Sequence, residues 1–367
     1  MQKLKNIEFL RVVGCLAIVW LHFSNKTGFG QFAKLSEVYR GFMSISAQGN
    51  KAVDLFFILS GVFLVLTSDF AGSTWNFIKK KLIRFYPVTV FAILCFFAAS
   101  FFCKDMKFTP YENFLTLCNI TGTPFSLRPG NLGVYWYVSI LLWVSLFIFY
   151  CRKHFSAKAV NLTVAVLAFT AYTCIIRERH GSIAGHFQNC GIIFNIALLR
   201  GIGGIGLGYF IGQWYKDHAE KLQTLVLPWY TRLLLTAVEI YTLCFVINNM
   251  MLHKPSFKNH MIFIACFVIL IVTFLLKQGY VSRLLDRDIW VKLSAYTFSI
   301  YLTHVFCRNL MLSLLWKNPA CRQFLADHPF AAVSGSIIAA MIFGVLVCCL
   351  VERPAAKFLK RFTAPKA

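Results

Sequence analysis

Long apolar stretches alternate with short polar segments along the whole chain. Ten such stretches lie near residues 7–24, 51–69, 87–103, 133–151, 159–176, 190–215, 230–250, 260–277, 294–316 and 330–350. Most approach the roughly 20 apolar residues that a helix needs to cross a bilayer. The pattern therefore predicts an all-α integral membrane protein, a bundle of about ten transmembrane helices. The first stretch lacks a convincing cleavage site, so we interpret it as a retained span rather than a signal peptide.

Composition and charge agree with this class. Hydrophobic residues make up 58% of the chain and charged residues 14%, whereas soluble domains carry about 25% charged residues. The net charge is +23, which in a polytopic chain is typical of basic cytoplasmic loops. More than half of the Lys and Arg residues fall on the side that holds both termini, so we predict that both termini are cytoplasmic. No basic stretch leads into a soluble fold, which argues against nucleic-acid binding.

The remaining patterns predict one undivided domain. We expect a single transmembrane domain over residues 1–367, with its motifs spanning about 5–355 and no appended soluble domain. The thirteen cysteines form no CxxC pair, which argues against a metal site. The stretch "GIGGIG" fits a nucleotide-binding pattern, but it lies in an apolar helix. We therefore interpret Gly204, Gly208 and Gly212 as a stripe for close helix packing.

Two polar residues stand in the first span. Arg11 and His22 are eleven residues apart, which puts them on nearly the same helix face and about 16 Å apart along the axis. Polar groups within a span usually face the bundle interior. Together the two residues suggest a groove with an anion anchor at its cytoplasmic mouth and a base farther in. The alternative is a snorkelling arginine and a structural, hydrogen-bonded histidine.

Three further charged residues lie near the ends of spans two and three. Asp54 opens span two at about the depth of His22, where a carboxylate would orient the imidazole. Alternatively, it is an acid favoured by the dipole at a helix start. Lys81 and Arg84 share one helix face on the cytoplasmic side, either as a phosphate-binding pair or as ordinary positive-inside charge.

The last candidates are Tyr137, His304 and Glu352. Tyr137 lies at the outer end of span four, where it either belongs to an interfacial aromatic belt or contacts an acceptor. His304 lies within span nine. Glu352 closes span ten at the membrane face of Arg11, a position compatible with an ion pair. We interpret all three as acceptor-contacting or structural polar residues.

These motifs, in this order, resemble the membrane acyltransferase-3 family. The resemblance starts with "IEFLRVVGCLAIVWLH", in which Arg11 and His22 fit the R-x10-H pattern of the family. It continues through "VDLFFILSG", "KLIRFYP", "YWYVSILLW", "FSIYLTH" and "VERP". Two positions depart from the family pattern: Glu8 stands where aspartate is frequent, and Lys81 where arginine is frequent. The second change replaces a forked donor with a point charge.

The resemblance implies a stand-alone, ten-helix enzyme that takes an acyl group, usually acetyl, from cytoplasmic acyl-CoA. The acceptor would be a hydroxyl of a surface glycan or lipid-linked sugar. Under this hypothesis Arg11, Lys81 and Arg84 hold the CoA phosphates. His22 would be the catalytic base and Asp54 would orient it. Acetyl-CoA is then a substrate, and no metal or permanently bound cofactor is expected.

Several alternatives remain open at this point. Transfer is either direct or through an acyl-histidine intermediate. A transporter or flippase for a glycan or organic anion would use the same intramembrane polar residues, and in a sensor or scaffold they would be structural. The expected partners are acyl-CoA, the sugar acceptor and membrane lipid, and the resemblance implies a bacterial inner membrane. The acceptor and the oligomeric state are not predicted.

Overall fold

The computed structural model describes residues 4–25, 29, 48–125, 130–179, 188–190, 194–252, 260–315 and 318–363. Its α-helices, in chain order, are α1 (Lys5–Ser24), α2 (Ala52–Thr67), α3 (Thr74–Phe102), α4 (Pro110–Leu117), α5 (Trp136–His154), α6 (Ala157–Arg179), α7 (Ile196–Thr224), α8 (Trp229–Ile247), α9 (Met261–Leu276), α10 (Tyr280–Leu284), α11 (Asp288–Ser294), α12 (Thr297–Leu315), α13 (Pro319–Asp327), α14 (Pro329–Val347) and α15 (Arg353–Thr363).

Short segments of other geometry adjoin these helices. A 3₁₀ turn, Gly49–Lys51, precedes α2, and π-helical segments follow α8 (Asn248–Leu252) and α14 (Cys348–Glu352). The strands β1 (Asn189–Cys190) and β2 (Phe194–Asn195) form one antiparallel pair just before α7. Each strand has two residues, so the pair changes nothing in the all-α class.

Ten apolar helices account for the ten predicted spans. Within the described ranges, nine helices are long and apolar enough to cross a membrane, and α9, with 16 residues, is a shorter apolar helix. The prediction of an all-α integral membrane bundle is therefore confirmed. The side on which the termini lie stays a prediction.

The third span begins earlier than its apolar pattern indicates. The apolar pattern predicts residues 87–103, but α3 starts at Thr74, where the Ser73 side chain accepts a hydrogen bond from the Asn76 amide. Pro87 lies inside the helix, where it removes a backbone donor and its ring crowds the carbonyl four residues earlier, yet the helix continues to Phe102. The early turns of α3 therefore carry the basic run that includes Lys81 and Arg84 into the bundle.

Glycines bring α2 and α7 into close contact. A Cβ atom added to Gly208 would lie 1.9 Å from the Ile58 carbonyl oxygen, and one added to Gly61 would lie 2.2 Å from the Ile205 carbonyl oxygen. Only glycine permits backbones to approach this closely. The interpretation of the glycine stripe as a packing surface is confirmed.

Helix α12 is largely buried. It packs against α1, α3 and α14. A helix enclosed by neighbours can direct polar side chains only at other protein groups or at internal cavities. This position brings the polar residues of α12 next to those of α1.

Candidate active site

The cations predicted to bind phosphate line one cavity of about 350 Å³, which we call the basic cavity. Arg11 comes from α1, and Lys81 and Arg84 come from α3. Glu8 lines the same end of the cavity, and the rest of the wall is largely apolar and aromatic. The volume falls in the range of small-molecule sites. The tertiary structure thus gathers all three cations in one place.

Aromatic rings and one carboxylate hold these cations. Arg11 donates to the Glu8 carboxylate at 2.9 Å (Nη1 to Oε2). The Arg84 guanidinium lies 5.7 Å from the Phe298 ring centroid, and the Lys81 ammonium lies 5.4 Å from that of Phe77. Contacts of this kind are compatible with cation–π attraction. Three cations line the cavity and two carboxylates act on them, Glu8 in the lining and Glu352 close to Arg84, so an excess of positive charge remains that suits an anion.

The ion pair considered between Arg11 and Glu352 is not formed. Arg11 pairs with Glu8 one helical turn away, a partner that needs no approach between helices. Glu352 instead accepts a hydrogen bond from the Ser299 hydroxyl of α12. Glu352 therefore ties the π-helical end of span ten to α12.

The inner end of the basic cavity is lined by Tyr137, Tyr301 and Ser60. The Tyr137 and Ser60 hydroxyls lie 3.1 Å apart, and Tyr301 donates to the Val134 carbonyl oxygen at 3.0 Å. Tyr137 is 9% exposed, so the interpretation of this residue as part of an aromatic belt is wrong. The ring lies between α2 and α12 inside the bundle, with its centroid 4.8 Å from that of Phe57 and 5.8 Å from that of Tyr301.

His22 and His304 form a pair between α1 and α12. The distance from His304 Nε2 to His22 Nδ1 is 3.0 Å, and the ring centroids lie 4.9 Å apart. His304 is fully buried. His22 is not among the residues that line the basic cavity, but Tyr301, which lines it, has its ring 5.9 Å from that of His304. The histidine pair thus adjoins the inner end of the basic cavity.

Asp54 does not orient His22. Both of its carboxylate oxygens accept from Arg200, from Nε at 2.9 Å and from Nη2 at 3.0 Å. The Asp54 side chain is 4% exposed and the Arg200 side chain is 1% exposed. Because the guanidinium fork matches a carboxylate and an arginine inside a span needs a partner, the close packing of α2 and α7 commits Asp54 to Arg200. The prediction that Asp54 orients His22 is therefore wrong. The side chain that contacts the His22 ring is His304.

A second pocket, of about 280 Å³, lies beyond the histidine pair along α12, and we call it the outer pocket. Its polar lining includes Thr109, Asn131, Arg308 and Asn309. Arg308 donates to the His22 carbonyl oxygen at 3.3 Å (Nη1) and to Asn309. Tyr301, His304 and Arg308 follow one another at helical spacing on α12, so they connect the basic cavity, the histidine pair and the outer pocket in that order.

Sequence reasoning named neither Arg200 nor Arg308 as a candidate. Both were visible as arginines inside predicted spans, and the requirement that such a charge be partnered was the available signal. Asp54, which binds Arg200, and the His22 carbonyl, which binds Arg308, lie far away in the chain on α2 and α1, so spacing alone carries no information about these partners.

Comparison with known proteins identifies the family. The acyltransferase-3 family, described as an acyltransferase domain, matches residues 4–353. The chain belongs to this family. No curated protein and no solved structure shows a significant match to it. The predicted resemblance is confirmed, and the protein is a membrane acyltransferase. The family match runs from α1 to the start of α15, so every residue of the two cavities and the histidine pair lies within it.

Proposed function

We propose that this acyltransferase transfers an acyl group, expected to be acetyl, from acyl-CoA to a hydroxyl of a surface glycan or lipid-linked sugar. The observation that carries the proposal is the basic cavity, which joins three cations at one end to the neighbourhood of the histidine pair at the other. Acyl-CoA has the same polarity, with phosphates at one end and the thioester at the other. The proposed location is a bacterial inner membrane.

The cations provide the donor site. Arg11, Lys81 and Arg84 bind the CoA phosphates by charge-assisted hydrogen bonds, and binding displaces part of the Arg11–Glu8 interaction. The acyl-pantetheine arm extends along the apolar wall toward Tyr137 and Tyr301. The phosphate end is then fixed at the predicted cytoplasmic mouth while the thioester points toward the histidine pair.

His22 supplies the base. It removes the proton of the acceptor hydroxyl, whose oxygen attacks the thioester carbonyl carbon, and the carbon–sulfur bond breaks. The proton passes from His22 to the leaving thiolate, so the products are the acyl ester and free CoA. The outer pocket, with its amide, hydroxyl and guanidinium groups, is the proposed entry for the sugar. In the covalent variant, His22 itself carries the acyl group before the acceptor takes it.

The proposal is tested with detergent-purified protein, acetyl-CoA and a pool of lipid-linked or surface glycans, by following free-thiol release. We expect acceptor-dependent release that is lost in His22→Ala. His218→Ala is the matched control, because His218 makes the same hydrogen bond to the carbonyl four residues earlier, with Trp214 at 2.8 Å, on an exposed surface. Wild-type rates in His22→Ala would contradict the role of His22.

The second candidate function is transport of a glycan or organic anion. It is favoured by the succession of basic cavity, histidine pair and outer pocket along α12, which also describes a path through the bundle. A transporter moves its substrate without consuming the thioester. Substrate uptake into proteoliposomes without thiol release, from several acyl-CoA and glycan pools, would therefore decide for transport.

A further inference from the structure

His304 contacts hydrogen-bonding groups with both ring nitrogens although it is fully buried. Its Nδ1 lies 3.2 Å from the Ile300 carbonyl oxygen, and its Nε2 lies 3.0 Å from His22 Nδ1. His22 Nδ1 also lies 3.0 Å from the Ile18 carbonyl oxygen. Two backbone carbonyls therefore bracket the pair, one on each helix.

These carbonyls determine where the protons are. A carbonyl oxygen only accepts hydrogen bonds, so a nitrogen bonded to it carries a proton. His304 Nδ1 is therefore protonated. Its Nε2 must then accept, because His22 Nδ1 is protonated for the same reason and shares its one proton between the Ile18 carbonyl oxygen and His304 Nε2 in a three-centre hydrogen bond. A neutral His22 consequently holds its lone pair on Nε2, the nitrogen on the far side of the ring.

The same contacts fix the position of His22 as well as its protonation state. Arg308 donates to the His22 carbonyl oxygen at 3.3 Å, which lies in the last turn of α1, where carbonyls lack partners within the helix. The end of α1 is thus tied to α12 through both the side chain and the backbone of His22. Rotation of the imidazole would break its bond to His304.

We propose that His304 is a positioning residue that holds His22 in the Nδ1-protonated tautomer, so that Nε2 of His22 is the nitrogen that takes the acceptor proton. The tautomer follows from the geometry alone, and its catalytic consequence rests on the proposed function. In the reaction, the proton of the acceptor hydroxyl passes to His22 Nε2 and then to the CoA thiolate. His304 keeps its own proton throughout.

The tautomer is tested in the full chain, reconstituted in lipid bilayers and labelled with ¹⁵N-histidine, by solid-state NMR. The signals of His22 are assigned by their loss in His22→Asn. We expect a protonated Nδ1 and an unprotonated Nε2 on His22, with coupling between His22 Nδ1 and His304 Nε2. A protonated Nε2 on a neutral His22 would overturn the proposal, whatever the activity of any variant.

The catalytic consequence is tested with His304→Leu and His304→Gln. Leucine removes the acceptor, and we expect kcat to fall about 100-fold or more with the KM for acyl-CoA unchanged, because the basic cavity is untouched. Glutamine restores an acceptor oxygen near the position of Nε2 and should recover most of kcat. Wild-type kcat in folded His304→Leu, or equal losses in both variants, would overturn the positioning role.

The two proposals fail in different ways. If the wild-type protein transfers no acyl group but shows the expected His22 tautomer, the proposed function fails and the tautomer assignment stands. If the wild-type protein turns over but His22 carries the other tautomer, the proposed function stands and the role of His304 is lost.

Discussion

Lys81 and its neighbour Lys80 show how one helix separates binding charge from surface charge. Lys81 lines the basic cavity, whereas Lys80 is exposed on α3 and does not. Both belong to the same basic run, so a rule that counts positive charge on the cytoplasmic side treats them alike. The helical period, not the composition, makes one of them a candidate for phosphate binding.

This difference gives a matched test of the donor site. We expect Lys81→Ala to raise the KM for acyl-CoA about tenfold, the loss associated with one charge-assisted hydrogen bond, while Lys80→Ala leaves it unchanged. Lys81→Arg should retain affinity, since arginine also binds phosphate. Steady-state kinetics measures all three variants. Equal KM values for Lys81→Ala and Lys80→Ala would remove Lys81 from the donor site.

We expect the Asp54–Arg200 pair to stabilise the fold rather than to take part in acid–base chemistry. We expect Asp54→Asn to lower the free energy of unfolding by about 3–5 kcal/mol, because it leaves Arg200 buried without a countercharge. Denaturant unfolding in detergent measures the change. The control is Asp288→Asn, which breaks an ion pair with Lys5. The Lys5 side chain is 31% exposed and that of Asp288 is 74% exposed, so this variant should change the free energy of unfolding by less than about 1 kcal/mol.

The alternative outcome for Asp54 is equally specific. If Asp54→Asn keeps wild-type stability but loses kcat, the carboxylate acts in catalysis after all. The hydrogen bonds to Arg200 would then serve to position it. The two measurements on one variant therefore separate an architectural carboxylate from a catalytic one.

At the scale of elements, the contact between α2 and α7 determines where Asp54 and Arg200 meet. Gly204, Gly208 and Gly212 present a flat surface to α2, and Gly61 faces it from the other helix. Side chains larger than hydrogen would separate the two helices and pull the carboxylate away from the guanidinium. Helix packing and the buried ion pair therefore support each other.

Alanine at Gly208 tests this contact. We expect Gly208→Ala to destabilise the protein by about 1–3 kcal/mol, as overpacking does, because the new Cβ would lie 1.9 Å from the Ile58 carbonyl oxygen. Gly335→Ala in α14 is the control, since a Cβ there meets nothing within 4 Å. The control should be neutral or stabilise slightly through helix propensity. Equal unfolding free energies for the two variants would contradict tight packing of α2 on α7.

At the scale of the whole molecule, the basic cavity and the outer pocket lie on either side of the histidine pair. The proposed reaction needs the basic cavity on the side where acyl-CoA is made. The orientation predicted from loop charge puts Arg11, Lys81, Arg84 and both termini on the cytoplasmic side. The orientation of the protein in the membrane is therefore part of the functional proposal.

Reporter fusions test the orientation directly. We expect green fluorescent protein fused after residue 367 to fluoresce in bacterial cells, and alkaline phosphatase fused at the same point to be inactive. A phosphatase inserted near residue 40, between the first two predicted spans, should be active, because that segment lies on the opposite side in the predicted topology. The reverse pattern would place the basic cavity outside the cell and contradict the use of cytoplasmic acyl-CoA.

The chain by itself determined the membrane class, the ten apolar helices, the family and the basic residues that line the basic cavity. These follow from local properties: apolar length decides what crosses a bilayer, and helical spacing decides which residues share a face. The glycine stripe of α7 was also readable, since small residues at a four-residue interval indicate a packing surface.

Only the tertiary structure decided which polar groups meet. Asp54 is predicted at about the depth of His22, yet it pairs with Arg200, and the partner of His22 comes from α12, far away in the chain. Spacing along a helix gives the height and face of a side chain, but the neighbour it contacts depends on how helices are arranged around each other. Buried charges and imidazoles take the partner that this packing brings within hydrogen-bond distance, because inside a bilayer an unpaired group has no water to replace it.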